Sequence, residues 1–118
     1  MRFMFIVKSA HPGPPTPELM EAMNKLANRE IEAGRMLDNG GLMPLAMGAQ
    51  VRIAGGRLSV VDGPFAEAKE VIGGYAIFEL QGKEEAVASA VEFMQLHKDY
   101  FPGWEGTCEI RAFASTGP

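Results

Sequence analysis

The sequence predicts an α+β domain on a ferredoxin-like plan with an added β-hairpin. Three observations carry that reading. Strand-like runs fall near 2–8, 50–61, 75–80 and 107–113, and two stretches at 17–33 and 83–98 repeat apolar residues every three or four positions. The resulting order of strand, helix, strands, helix and strand is that of two helices laid on one face of a sheet. Finally, 118 residues with 47% hydrophobic and 22% charged side chains suffice for one core and leave no room for a second. A single domain over 1–114, with S-T-G-P at 115–118 as a loose tail, is therefore expected.

The first run, M-R-F-M-F-I-V-K, puts Phe3, Phe5 and Val7 on one side and Met4 and Ile6 on the other, as in a strand buried on both faces. It is too short for a signal-peptide core, and no apolar run in the chain approaches membrane-spanning length. Four prolines between 12 and 17 then break the chain. Thr16-Pro17-Glu18 is a helix start, with a hydroxyl cap, proline in the first turn and an acid at the positive end. Leu19, Met23, Leu26, Ala27 and Ile31 form the stripe of this helix, and Gly34 ends it.

Gly40, Gly41 and Pro44 limit any strand in 35–43 to a short, irregular one. Q-V-R-I-A-G-G-R-L-S-V-V, residues 50–61, places two alternating runs around Gly55-Gly56, which predicts a hairpin with a type I′ or II′ turn. In Y-A-I-F-E-L, residues 75–80, Tyr75, Ile77 and Glu79 face one way and Ala76, Phe78 and Leu80 the other. The second helix carries Ala86, Val87, Ala90, Phe93 and Met94 on its stripe. In the last strand Cys108, Ile110 and Ala112 alternate with Thr107, Glu109 and Arg111. Two helices can cover only one face of such a sheet, yet 3–7 and 75–80 are apolar toward both. A homodimer packed sheet to sheet or through shared edges would cover the second face; the alternative is a monomer covered by 35–47 and the hairpin.

Eleven Lys and Arg against fifteen Asp and Glu give a net charge of −4, which disfavours nucleic acid as a partner. Cys108 is the single cysteine, so no internal disulfide forms and a reducing cytoplasm fits best. Its mid-strand position suits a buried, inert thiol. His11 and His97 have no metal-ligand spacing, and no structural metal or cofactor is implied. Nucleotide-binding glycine loops and the serine-hydrolase elbow are absent.

Counting 100° per residue, His97 falls between Ala90 and Phe93 on the buried stripe of the second helix. There it is either a core histidine satisfied by a carbonyl or by the negative helix end, or a proton-transfer group whose tautomer a carboxylate such as Asp62 holds. His11 sits in the proline-rich loop. Trp104 is either a lid on the second helix or an aromatic wall for a ligand. In V-V-D-G-P-F-A-E-A-K-E-V-I-G-G-Y, residues 60–75, turn chemistry accounts for Asp62, Gly63 (through a positive φ) and Pro64. It does not require Glu67, Lys69 and Glu70, which are either solvated or converge on a cavity. Gly73-Gly74 is a bulge or a place of close approach.

The segment D-G-P-F-A-E-A-K-E-V-I-G-G-Y, residues 62–75, resembles the signature of the DGPF-type YCII-related family, which usually has threonine where this chain has Ala68. The likeness extends to M-R-F-M-F-I-V-K and to F-M-Q-L-H-K-D-Y-F-P-G-W-E-G-T-C-E-I-R. It implies the dimeric α/β-barrel type of ferredoxin-like fold, in small bacterial cytosolic proteins that are commonly dimers. Muconolactone isomerases, a dehydrochlorinase and haem-handling monooxygenases share that superfamily, and some DGPF-type members are linked to extracytoplasmic-function sigma factors. The His-Asp pair typical of enzyme-like YCII members has its histidine early in the first helix. Here that helix begins P-E-L-M-E-A-M, so the pair does not carry over.

Two functions are therefore expected. In the first, a small organic metabolite undergoes proton-transfer, isomerase or lyase chemistry, with His97 and Asp62 as the catalytic pair. Lys69, Glu67, Glu70, Tyr75, Arg52 and Trp104 would bind the substrate, Lys69 or Arg52 facing an anionic intermediate. In the second, the protein is a non-catalytic ligand-binding or regulatory module, with a sigma factor as one partner.

Overall fold

In the computed structural model, residues 1–10, 13–63 and 70–114 are described. Strand β1 (Arg2–Ser9) leads to helix α1 (Pro17–Glu32) and strand β2 (Met36–Gly41). A single 3-10 turn, Leu45–Met47, precedes strands β3 (Ala49–Ala54) and β4 (Arg57–Asp62). Strand β5 (Val71–Glu79), helix α2 (Lys83–Tyr100) and strand β6 (Gly106–Ala112) complete the domain. Four strands form an antiparallel sheet in the order β2-β5-β1-β6, and β3 and β4 form a second sheet of two. The ferredoxin-like α+β plan with its added hairpin is thus the observed fold.

The local signals act as expected at both helix ends. The Thr16 hydroxyl accepts a bond from the Leu19 amide at 3.2 Å and donates to the Tyr100 carbonyl at 2.6 Å, so one residue starts α1 and fastens it to the end of α2. Gly34 adopts φ +75° just past α1. At the hairpin, Gly55 and Gly56 have φ of +58° and +76°, a type I′ turn, with Ala54 opposite Arg57.

Strand β5 begins four residues earlier than its alternation suggests. Val7 faces Gly74 but Lys8 faces Ile72, so Gly73 is the extra residue of a bulge, and pairing continues beyond it to Val71. Gly74 also answers the second expectation for this pair: a Cβ there would lie 3.1 Å from the Gly40 carbonyl oxygen. Helix α2 likewise runs two residues past its expected end.

Phe3, Phe5, Phe78 and Leu80 pack under Ala86 and Ala90 of α2, and the Phe5 and Phe78 rings stack at 4.6 Å. The two alanines let the helix lie close to the aromatic layer. Val87, expected on this stripe, stands 43% exposed instead. The buried positions are Ala86, Ala90 and His97, a narrower seam that passes Val87 by.

A charged cluster ties the helices together. Glu30, buried near the end of α1, accepts from Arg35 Nε at 3.0 Å and from Arg29 Nε at 3.1 Å. Arg29 also reaches across to Glu92 of α2 with two bonds of 2.8 and 2.6 Å. Arg35 first, then Arg29, hold the Glu30 carboxyl below its usual range.

The register puts Met4, Ile6, Tyr75 and Ile77 together on the face away from the helices. Glu109, bonded to Lys8 at 2.7 Å and Arg111 at 3.2 Å, lies on the same face, as does Tyr75, whose hydroxyl donates to Asp38 at 3.2 Å. The hairpin does not cover this face, since every residue of β3 and β4 is exposed. It stands out as an arm, and the radius of gyration, 16.1 Å, exceeds the roughly 13–14 Å expected of a compact chain this long.

Candidate functional site

The register gathers several elements at one end of the sheet. Val71 at the start of β5 pairs with Ser9 at the end of β1, and Ser9 pairs with Gly106 at the start of β6. Two strand spacings therefore separate Val71 from Gly106, about 10 Å. The Ser9 hydroxyl donates to the Glu105 carbonyl at 2.9 Å, closing β1 onto the loop before β6. Helix α2 ends beside that loop, so His97, Trp104 and Glu70 are carried to the same end of the molecule as the close of the 60–75 segment.

The loop F-P-G-W positions Trp104. Its amide donates to the Phe101 carbonyl at 3.0 Å, and Gly103 has φ +81°, a type II turn with proline and glycine in their preferred places. The turn swings the indole back over His97, with ring centres 4.5 Å apart. Phe93 flanks the imidazole at 4.7 Å. Gly106 makes room for this arrangement: a Cβ there would collide with both the Lys8 carbonyl oxygen and the Trp104 ring.

His97 is 6% exposed, as its place on the helix stripe predicts. Its Nδ1 lies 3.2 Å from the Phe93 carbonyl oxygen, one helical turn back. A carbonyl only accepts, so Nδ1 carries the proton and Nε2 keeps its lone pair. Among the described residues Nε2 has no hydrogen-bond partner, and His97 lines a surface cleft. Burial pushes the imidazole pKa below its ordinary value, and the bond to Phe93 only partly opposes this. The group is neutral at neutral pH and presents a proton acceptor.

That cleft has a volume of about 340 Å³ and is bounded by His97, Trp104, Phe101, Lys98 and Glu105. It meets a second, more apolar trough of about 370 Å³ between α2 and β6, the two sharing Met94 and Lys98. The arrangement offers one aromatic wall, one neutral base and one ammonium group.

The other expected site residues divide. The Phe93 carbonyl fixes the His97 tautomer, the part expected of Asp62. Asp62 ends β4 opposite Ala49, on the two-stranded sheet. Arg52 is exposed on β3, and Tyr75 belongs to the open sheet face with Asp38, which raises its hydroxyl pKa. Glu70 is exposed just before β5. Glu67, Lys69 and His11 lie outside the described residues. Gly63 does not have the positive φ expected of it; its role is close approach, because a Cβ would overlap the Leu45 carbonyl, and its amide donates to Gly48 at 2.9 Å. Lys98, missed in the sequence, could have been found one residue beyond His97.

Burial pushes the Cys108 thiol up to about 11, which leaves it unreactive near neutrality. Among the described residues no cluster of His, Cys, Asp or Glu could hold a metal ion, and no helix is long and apolar enough to cross a membrane.

Comparison with known proteins places the chain in a family. An uncharacterised protein of Rhizobium meliloti (strain 1021) is 27% identical over 100 residues, which span 85% of this chain and 77% of that protein. The model of the YCII-related domain matches residues 1–93, including the whole 62–75 motif and stopping short of His97 and Trp104. With most of its length so matched, the chain belongs to the YCII-related domain family.

Proposed function

We propose that this YCII-related protein, of the DGPF type, is a cytoplasmic homodimer that binds a small organic metabolite in the cleft at the end of α2. There His97 exchanges a proton with it. The observation that supports this best is the state of His97: Nδ1 is committed to Phe93, burial favours the neutral ring, and Nε2 has no hydrogen-bond partner among the described residues, with Trp104 against the ring. An acceptor of that kind removes a proton from carbon or oxygen; returning it elsewhere gives an isomerisation, and loss of a leaving group gives an elimination. Trp104 suits a flat or cyclic ligand, and Lys98 suits the anion formed when the proton leaves. The homodimer reading rests on Met4, Ile6, Tyr75 and Ile77 sharing the face opposite the helices.

The test uses the small-molecule fraction of a cell extract as the probe. Wild-type protein is expected to retain a metabolite through desalting and to convert it, whereas His97→Gln, of similar polarity, binds it but turns it over at least a hundredfold more slowly. Equal turnover by the two would overturn the enzymatic reading. A non-catalytic binding or regulatory module is favoured by one observation, that among the described residues His97 has a carbonyl and no carboxylate as its partner. It predicts retention without conversion, unaffected by His97→Gln.

A further inference from the structure

The arm formed by β3 and β4 has two unlike faces. In its register Val51 faces Val60 and Ile53 faces Leu58, so these four side chains share one face, while Gln50, Arg52, Arg57 and Ser59 lie on the other. The four are 71, 69, 76 and 72% exposed. A two-stranded ribbon with a bare apolar face is marginal alone in water, so the regularity of this one calls for a surface to lie on.

We infer that the apolar face of the arm seats in the α2–β6 trough of a second copy of this chain and there forms one wall of that copy's His97 cleft. This rests on the homodimer reading given above. Sheet-to-sheet packing would occupy the open sheet face and leave the trough free to receive the arm. The trough is lined by Val87, Val91, Met94, Cys108 and Ile110 together with Gln95 and Lys98, and Val91 is 61% exposed. It runs beside β6, one of the two edge strands of the sheet, which otherwise offers unpaired backbone groups to solvent.

Size agrees with that occupant. Six residues per strand make the arm about 20 Å long and 10 Å wide. One arm given and one received therefore contribute roughly 400 Å² of contact per protomer, about half of the 800 Å² typical of a stable interface, and the sheet faces supply the rest. Exchange of identical arms closes as a two-fold dimer and leaves no arm over. Because the trough and the cleft share Met94 and Lys98, an arm in the trough borders the space beneath Trp104.

The test is intermolecular cross-linking in a Cys108→Ser background. Protein bearing Ile53→Cys is mixed with protein bearing Val91→Cys, equilibrated and mildly oxidised, with Val60→Cys as a second arm probe should the first fold poorly. A disulfide-linked pair is expected in the mixture for at least one arm probe, at several times the yield of either protein alone. A monomer in light scattering, or a dimer that links neither arm position to Val91→Cys, would overturn the proposal. Neither readout depends on a metabolite or on His97, so failure here is distinct from failure of the proton-transfer reading.

Discussion

Gly106→Ala is expected to lower stability by about 2–3 kcal/mol, or roughly 10 °C in melting temperature, and to displace the indole of Trp104. The added methyl meets two things at once. The Lys8 carbonyl belongs to the β1–β6 ladder and cannot retreat without opening it, and the Trp104 ring can retreat only by leaving His97. Thermal unfolding reads the first effect, and a red shift of tryptophan emission, from the single Trp of the chain, reads the second. Native melting and native emission together would show that the start of β6 is looser than described and that the wall of the cleft is not fixed by it.

Removing the carboxylate that joins the helices has an effect of similar size. Glu30→Ala is expected to cost about 2–3 kcal/mol at neutral pH, less than the stripping of a fully buried pair, because both arginine head groups are half in water and Arg29 keeps Glu92. The pH dependence has a definite sign. The folded-state pKa of Glu30 is depressed, chiefly by Arg35, so its contribution is complete above the ordinary carboxylate value near 4.3 and is lost as pH falls through the lower folded value. Urea unfolding of wild type and variant at pH 7 and pH 3 checks this: the gap between them should narrow at the lower pH. A gap of the same size at both would mean that the carboxylate is not ionised by its neighbours.

Much of this architecture was legible because it depends on short-range rules. The Gly55-Gly56 pair specified a turn that only two left-handed residues make, Thr16 specified a helix cap, and alternation assigned Phe3, Phe5 and Phe78 to the core face. The burial of His97 followed from helical geometry alone. What depends on contacts between distant segments was hidden. Glu30 lies four residues after Leu26 and seven after Met23, on the apolar stripe of α1, and that place was a signal; Arg35 as its partner depends on how the chain leaves the helix. Gly63 suggested a turn conformation, whereas the reason for glycine there is the Leu45 carbonyl, eighteen positions away in the chain. Sequence offered both a carbonyl and Asp62 as partners for His97 but could not choose between them; the carbonyl, from Phe93 in the same helix, is the one present. Nor could it show that Ser9 brings the start of β5 and the start of β6 to the same end of the sheet.

The central claim is that His97 presents an unprotonated Nε2 to a ligand-binding cleft, and long-range proton–nitrogen NMR of the histidine rings tests it most directly. Spectra are recorded near pH 7.5 with and without the small-molecule fraction of a cell extract, and His97→Gln supplies the assignment. The account predicts an Nδ1–H tautomer for His97, titrating below the ordinary value near 6.5, with an Nε2 resonance that moves when the metabolites are added. An Nε2–H tautomer, a charged ring at this pH, or an Nε2 resonance that ignores the extract would contradict it.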